Sequence, residues 1–396
     1  MTRMVALTVG DPVPWFRLPS TSNPNYNFDT VGGYQIILFF FGSTQIEQSA
    51  QAVRDFCAMQ DELTALEVPF FGVGIDPQDQ FLATEITHPT YCKFLWDFEQ
   101  TVSQQYGVCT PASDPIKELT YSPTTFVLDP TLRVLQVFPL KQAENYAAEI
   151  LQYVRQFPPL APSSMAARQA PVLFIPRVLD SELCQTLVQL FEAGNARDSG
   201  FMREVDGKTV EILDPGFKKR QDINLSETPW IEPINQAVIR RVKPEIEKAF
   251  QFSITRFERH IVARYDAANQ GFFNRHRDNT TKGTAHRRFA MSLNLNTGDY
   301  EGGCLRFPEY GSQLYRPDTG EAVIFSCSLL HEATPVTKGQ RFALLSFFYG
   351  DEDALVRERN RQYLANAPTA ASSRAAQPIP TKSGFQPKSA KAKKRR

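Results

Sequence analysis

Two kinds of hydrophobic pattern run along this chain, and they occupy different halves. Residues 34–41 contain its longest apolar run, 36–41, which suits a strand buried on both faces. A second such run covers 68–75 and ends at Asp76-Pro77. Between them, 45–66 has helical spacing, with Ile46, Val53, Phe56, Met59 and Leu63 on a common side. Segments 124–128 and 134–138 flank Asp129-Pro130-Thr131 as a hairpin, and 145–157 reads as a closing amphipathic helix. Strand, helix, strand, hairpin, helix is an α/β pattern.

From 157 to 171 the periodicity stops in a Pro/Ala/Ser-rich connector. Asp180 then caps a helix with the stripe Leu183, Leu187, Leu190 and Phe191. Residues 198–225 are polar and predict a loop or hairpin near a later site. A second helix spans 230–250, with Ile231, Ile234, Val238, Val242, Ile246 and Phe250 inward. Between 259 and 350, short β-branched and aromatic runs alternate with Gly, Pro, Asn and Asp clusters, the pattern of an all-β barrel or sandwich. The two helices are expected on its outside. A charged segment at 351–363 suits a short helix, and the remainder is Pro/Ala/Ser/Lys-rich and expected to be disordered.

Composition changes this picture little. At 396 residues two domains are expected. The zero net charge hides an asymmetry: eight Lys or Arg and no acid follow residue 366, leaving 35 basic and 43 acidic groups before it. The folded part is therefore mildly acidic and gives no sign of nucleic-acid binding outside the basic tail. Six scattered cysteines without a Cys-x-x-Cys argue against a disulfide scaffold and a zinc cluster. No run suits a signal peptide or a membrane span, and the expected setting is cytoplasmic.

The candidate chemistry lies in the 259–350 stretch. His276 and Asp278, two apart on a strand, point to one face. With the distant His331 they form the two-His-one-carboxylate set that binds non-haem Fe(II) and leaves three coordination positions open. A lone His-x-Asp is more often a surface pair, so the order of its partners matters. Arg341 follows His331 by ten residues and opens the next strand. On an adjacent antiparallel strand it is placed to clamp the far carboxylate of a chelating dicarboxylate. An ion pair with a core carboxylate is its other reading. His88, His260 and His286 have no ligand partner at useful spacing, while Cys304 and Cys327 read as core residues within strands.

Two resemblances sharpen these expectations. G-D-P-V-P-W-F-R-L-P, I-L-F-F-F-G and S-P-T-T-F-V-L-D-P are similar to the peroxiredoxin branch of the thioredoxin fold. That pattern places a Pro, a Thr and the peroxide-reducing Cys where this chain has Gly42, Ile46 and Ser49. A redox-silent module is therefore expected, with Cys57 as packing. V-A-R-Y-D-A-A-N-Q-G-F-F-N-R-H-R-D-N, G-G-C-L-R-F-P and H-E-A-T-P-V-x-x-G-x-R resemble the 2-oxoglutarate/Fe(II) dioxygenases of the prolyl 4-hydroxylase-like group. The resemblance covers about 175–350.

It implies an α+β domain with a double-stranded β-helix (jelly-roll) core, and metal ligation by His276, Asp278 and His331. It further implies Arg341 on the 2-oxoglutarate C5 carboxylate and Tyr265 reaching the co-substrate. Asn294 stands where relatives often have a tyrosine, as a hydrogen-bond donor to that co-substrate. Arg287 is placed in the substrate channel, unless the adjacent Arg288 takes the inward position. Asp278 favours hydroxylation over halogenation. The implied cofactors are Fe(II) and 2-oxoglutarate, with ascorbate as an optional reductant. O2 is consumed, and the substrate is a peptide, protein (prolyl first) or small molecule. No membrane partner is expected, and a homodimer stays open. The expected division is 1–157 thioredoxin-like, 158–171 linker, 172–352 dioxygenase, and 353–396 charged segment and basic tail. A non-catalytic scaffold is the alternative.

Overall fold

The computed structural model describes residues 6–110 and 120–365. The predicted tail beyond 365 lies outside them. Two compact units divide the chain, Met1–Ala166 and Ala167–Arg396.

In the first unit the apolar runs become the centre of a five-stranded sheet. Its order is Cys92–Trp96, Phe70–Gly74, Ile36–Gly42, Thr124–Leu128, Val134–Pro139, the first three parallel and the last two antiparallel. Alternation on the central strand explains its unbroken apolarity. Ile37, Phe39 and Phe41 pack against Val53, Phe56 and Ile150 on one face. Ile36, Leu38 and Phe40 pack against Phe28, Val102 and Tyr106 on the other. The helix expected over 45–66 is two helices, Glu47–Ala58 and Gln60–Ala65, because Met59 (φ −94°, ψ 8°) leaves the helical backbone. The strand Cys92–Trp96 has no counterpart in the sequence expectations.

The second unit is built on two larger antiparallel sheets, beside two short two-stranded ones among the described residues. The larger runs Leu173–Ile175, Ala322–Ser326, Phe289–Asn294, Gln340–Tyr349, Ile261–Asp266, Gln221–Asn224, Arg197–Asp198. The smaller runs Lys218–Lys219, Phe272–His276, His331–Ala333, Leu305–Arg306, Leu314–Tyr315. Period-two alternation splits the larger sheet's side chains. Met291, Leu293, Phe342, Leu344 and Phe348 face the helices through Leu187, Phe191, Ile234, Val242 and Ile246. From its inner face, Ala263 and Tyr265 meet Phe273 and Ala333 of the smaller sheet. Ala290, Val323 and Phe325 likewise meet Leu305 and Tyr315. At ~25 cal/mol per Å² of apolar surface removed from water, these two layers are the principal stabilising term of the unit.

The helix expected over 230–250 is interrupted. Ile231–Ala237 passes through a π turn, Val238–Val242, into Lys243–Phe250. Pro244 has no N–H to return to the preceding turn, and the Lys243 N–H reaches Val238 instead. The polar 198–225 stretch does contain a hairpin, Phe201–Val205 with Lys208–Ile212. It also supplies the strand Gln221–Asn224, whose residues carry no alternating apolar signal. Cys304 and Cys327 are buried as expected, but each lies one residue outside a strand.

Candidate metal centre

His276 closes one strand of the smaller sheet and His331 opens its neighbour, so the two are direct cross-strand partners. Asp278 lies beyond the strand end rather than on it. Its backbone N–H donates to the Cys327 carbonyl (2.9 Å), which turns the carboxylate back toward the imidazoles. Asp278 Oδ1 is 3.5 Å from His276 Nε2, and Oδ2 is 3.4 Å from His331 Nε2. One ligand atom from each residue fits within 4.8 Å of the others.

Both rings are held through the nitrogen that faces away. His276 Nδ1 donates to the Asn274 carbonyl (2.7 Å) and His331 Nδ1 to the Leu329 carbonyl (3.0 Å). This fixes the tautomer and leaves both Nε2 lone pairs directed at the gap beside Asp278. Phe273 stacks on His276 at 3.5 Å between centroids, and Phe325 abuts His331 edge-on at 4.7 Å. Burial pushes the His331 pKa down to about 4, partly offset by Asp278, so its imidazole is neutral at pH 7. Burial would raise the Asp278 pKa, but the two imidazoles beside it hold the carboxyl far below its usual range. Two imidazole nitrogens and a carboxylate, all facing one gap, are the donor set that suits Fe(II).

Arg341 is on the larger sheet, whereas His331 is on the smaller one. The expected adjacent-strand geometry is thus corrected: the guanidinium shares a cavity with the triad from the other sheet. It is buried, and no carboxylate among the described residues pairs with it. Its Nη2 donates to Ser292 Oγ (3.0 Å) and Asn294 Oδ1 (2.9 Å), and its Nε also reaches Asn294 Oδ1 (3.1 Å). Gly303 (φ +59°) allows this placement, since a β-carbon there would lie 3.0 Å from Arg341 Cδ and 2.8 Å from Val336 Cγ2.

Tyr265, the cross-strand neighbour of Arg341, lines the same cavity, and its hydroxyl accepts from Arg220 Nη1 at 3.4 Å. Asn294 does not meet its expectation as a donor to the co-substrate. Its amide N–H groups are taken by Tyr300 Oη (2.6 Å), Thr297 Oγ1 (3.0 Å) and the Pro317 carbonyl (3.0 Å). Only its oxygen is left, and that holds Arg341. Arg287 takes the inward position. It forms a two-pronged pair with Glu258 (2.7 and 2.9 Å) and donates to the Asp278 carbonyl at 3.3 Å. Arg288 turns away to Asp353 (2.7 Å).

The cavity measures about 490 Å³ and draws further residues from the polar 198–225 stretch. Arg220 pairs with Asp222 through two 2.7 Å contacts. Lys218 donates to Ser199 Oγ (2.7 Å), and burial together with Arg220 pushes its pKa down to about 6. No apolar period marked these residues. Their only sequence signal was the density of charge in a segment too long for a simple turn. Away from the triad, His260 is buried against Asn235 Oδ1 (3.1 Å) and His286 pairs with Glu258 (2.7 Å). In the first unit, Ser49 is buried and its hydroxyl donates to the Phe41 carbonyl (2.8 Å). Burial, aided by Glu85, pushes the Cys57 thiol up to about 11.

Comparison with known proteins gives two family matches. Residues 260–349 match the 2OG-Fe(II) oxygenase superfamily, and residues 9–137 match the AhpC/TSA family. Among curated relatives, mouse (Mus musculus) procollagen-lysine,2-oxoglutarate 5-dioxygenase 1 is 30% identical over 132 residues, 32% of this chain and 17% of that protein. The putative peroxiredoxin bcp of Coxiella burnetii is 22% identical over 151 residues, 37% of this chain and 98% of that protein. The chain thus spans only about a sixth of its procollagen-lysine relative's length. Among solved structures, a Pseudomonas putida prolyl-4-hydroxylase aligns with TM-score 0.35 and 17% identity, covering 46% of this chain and 93% of that one. This protein carries an N-terminal AhpC/TSA peroxiredoxin-like domain and a C-terminal 2OG-Fe(II) oxygenase domain whose facial triad is His276, Asp278 and His331.

Proposed function

We propose that the C-terminal domain hydroxylates an unactivated C–H bond, a prolyl residue of a peptide or protein being the first candidate. Bound Fe(II), with 2-oxoglutarate and O2, supplies the oxidising chemistry: one oxygen atom enters the substrate as hydroxyl, and the other enters succinate as CO2 leaves. His276, Asp278 and His331 hold the metal. Arg341 receives the far carboxylate of 2-oxoglutarate, Ser292 and Asn294 orient it, and Tyr265 forms the neighbouring wall. Ascorbate fits as a reductant that keeps the metal ferrous.

The observation that carries this reading is Arg341, a buried guanidinium facing the triad's cavity with neutral hydrogen-bond partners and no acid. A buried cation costs several kcal/mol unless an anion completes it. A dicarboxylate chelating the metal does so and gains orientation from the two-pronged contact. The test is anaerobic addition of Fe(II) and 2-oxoglutarate to the full chain, followed by a succinate assay in air. A visible charge-transfer band and succinate release are expected. A chain that binds the metal but gives neither would be a scaffold.

The N-terminal domain is proposed to be redox-silent. A serine hydroxyl occupies the thiol's place and is tied to a backbone carbonyl. Cys57, on the same helix, stays protonated.

A further inference from the structure

The cavity's cations differ in what neutralises them. Arg220 has Asp222, Arg287 has Glu258, and Arg277 has Glu309 (2.7 Å). Four guanidinium groups that line the cavity have no ion pair among the described residues: Arg197 and Arg203 are exposed, whereas Arg341 is buried and Arg259 half-buried. Arg259 has neither a hydrogen bond nor an ion pair among the described residues. Its nitrogens are not sealed in protein either, and the residue lines the cavity.

A break in strand register puts it there. Phe257 pairs with Phe348 and Ile261 pairs with Leu345, so four steps on one strand oppose three on the other. The extra residue is a β-bulge, a device that re-aims side chains beside functional sites. Arg259's electrostatic neighbours are Glu258, Arg287, Asp222 and Arg220. These four are already paired with one another. Glu258 also accepts from His286 (2.7 Å), and Asp222 from Ser199 at 2.5 Å. Arg259 is therefore a single uncompensated positive charge between two neutral ion pairs.

We infer that Arg259 binds a carboxylate of the primary substrate. The inference rests on the oxygenase reading above. One net charge matches a monoanion better than a phosphate dianion, which the flanking Glu258 and Asp222 would repel. The planar fork of a guanidinium also matches a carboxylate. This anion is not the far end of 2-oxoglutarate. That end is assigned above to Arg341, held by Ser292 and Asn294, and Arg259 shares none of those partners, its electrostatic neighbours being Glu258, Arg287, Asp222 and Arg220. It is nevertheless close to the chemistry. Arg287 contacts both Glu258 and the carbonyl of the metal ligand Asp278, so the carboxylate sits near the reacting C–H bond. A free amino acid or the acidic side chain of a peptide could present it.

The experiment uses the full chain with Fe(II), 2-oxoglutarate and O2. The probes are the common L-amino acids, C-terminally amidated tripeptides centred on Asp or Glu, and the matched amide of every acid. Readouts are succinate release above the probe-free rate and gain of one oxygen by mass. At least one acid is expected to act, and its amide to be weaker by roughly tenfold or more. Which arm responds separates the free acid from the side chain. Arg259→Gln should erase the acid-over-amide preference and Arg259→Lys should keep part of it. Equal action of acids and amides, no response to any acid, or an intact preference in Arg259→Gln overturns the inference. If wild-type protein turns over 2-oxoglutarate in those cases, the oxygenase reading survives. Absence of succinate in every arm sinks both.

Discussion

The loop after Phe41 in the first domain and the strand pair carrying His276 and His331 in the second are each the place where their fold pattern puts reactive groups. At the first, Ser49 donates to a backbone carbonyl, and Cys57 is too buried to ionise near neutrality. At the second, every ligand atom is free, aimed and supported: each imidazole spends its other nitrogen on a carbonyl, and Asp278 is anchored through its backbone. The difference teaches that the fold supplies positions, while chemistry depends on what each side chain has left after its structural bonds are made. Ser49 has no free donor. His276, His331 and Arg341 each face the cavity with unspent capacity.

The largest expected effect comes from removing that capacity at the metal. His276→Ala or His331→Ala should lower succinate formation from 2-oxoglutarate by about a hundredfold or more, since even outer-shell partners of metal ligands cost 10–100-fold. Normal turnover in either variant would erase the contrast between the domains. Next, Arg341→Ala should raise the KM for 2-oxoglutarate by roughly thirtyfold or more with a smaller change in kcat. Asn294→Ala, which only unseats that guanidinium, should move the same KM by less, about tenfold. A kcat effect larger than the KM effect would place Arg341 in a different role.

A third effect is one of stability. His260 is fully buried with a pKa pushed down to about 3, against an ordinary value of 6.5. Above pH 6.5 neither folded nor unfolded chain protonates it, and its burial costs nothing through protonation. Between 6.5 and about 3 only the unfolded chain takes the proton. Stability should therefore fall with acid, by up to about 1.4 kcal/mol per pH unit from this group. Urea unfolding followed from pH 7 to 4.5 should show that slope, and His260→Gln should flatten it. The smallest effect is expected in the first domain. Cys57→Ser should leave hydrogen peroxide consumption unchanged, because a thiol with pKa about 11 is thiolate at roughly one part in ten thousand at pH 7. A measurable drop would give the first domain a chemistry of its own.

Much of this was legible along the chain. The central strand Ile36–Gly42 and the alternation in Phe289–Asn294 and Gln340–Tyr349 follow from apolar spacing, which reflects a backbone period. The triad could be picked out because its residue types are rare together at that spacing. The strand Gln221–Asn224 was not legible, since its residues are polar and pair only because Ile261–Asp266 offers an edge. Asn294 was misjudged for a related reason: its type permitted a donor, but Tyr300, Thr297 and Pro317 had claimed both N–H groups.

By itself the sequence determined the two fold patterns, the His-x-Asp…His set, the arginine ten residues beyond it, and the serine in the thiol's place. These are local properties, carried by spacing and by the side chains' own chemistry. Only the tertiary structure decided that Arg341 faces the triad from the opposite sheet, that Arg287 rather than Arg288 turns inward, and that Arg259 is left without a partner. Those outcomes depend on register, on a one-residue bulge and on which acids were already paired. Such matters arise between distant segments once water is excluded, and no local pattern encodes them.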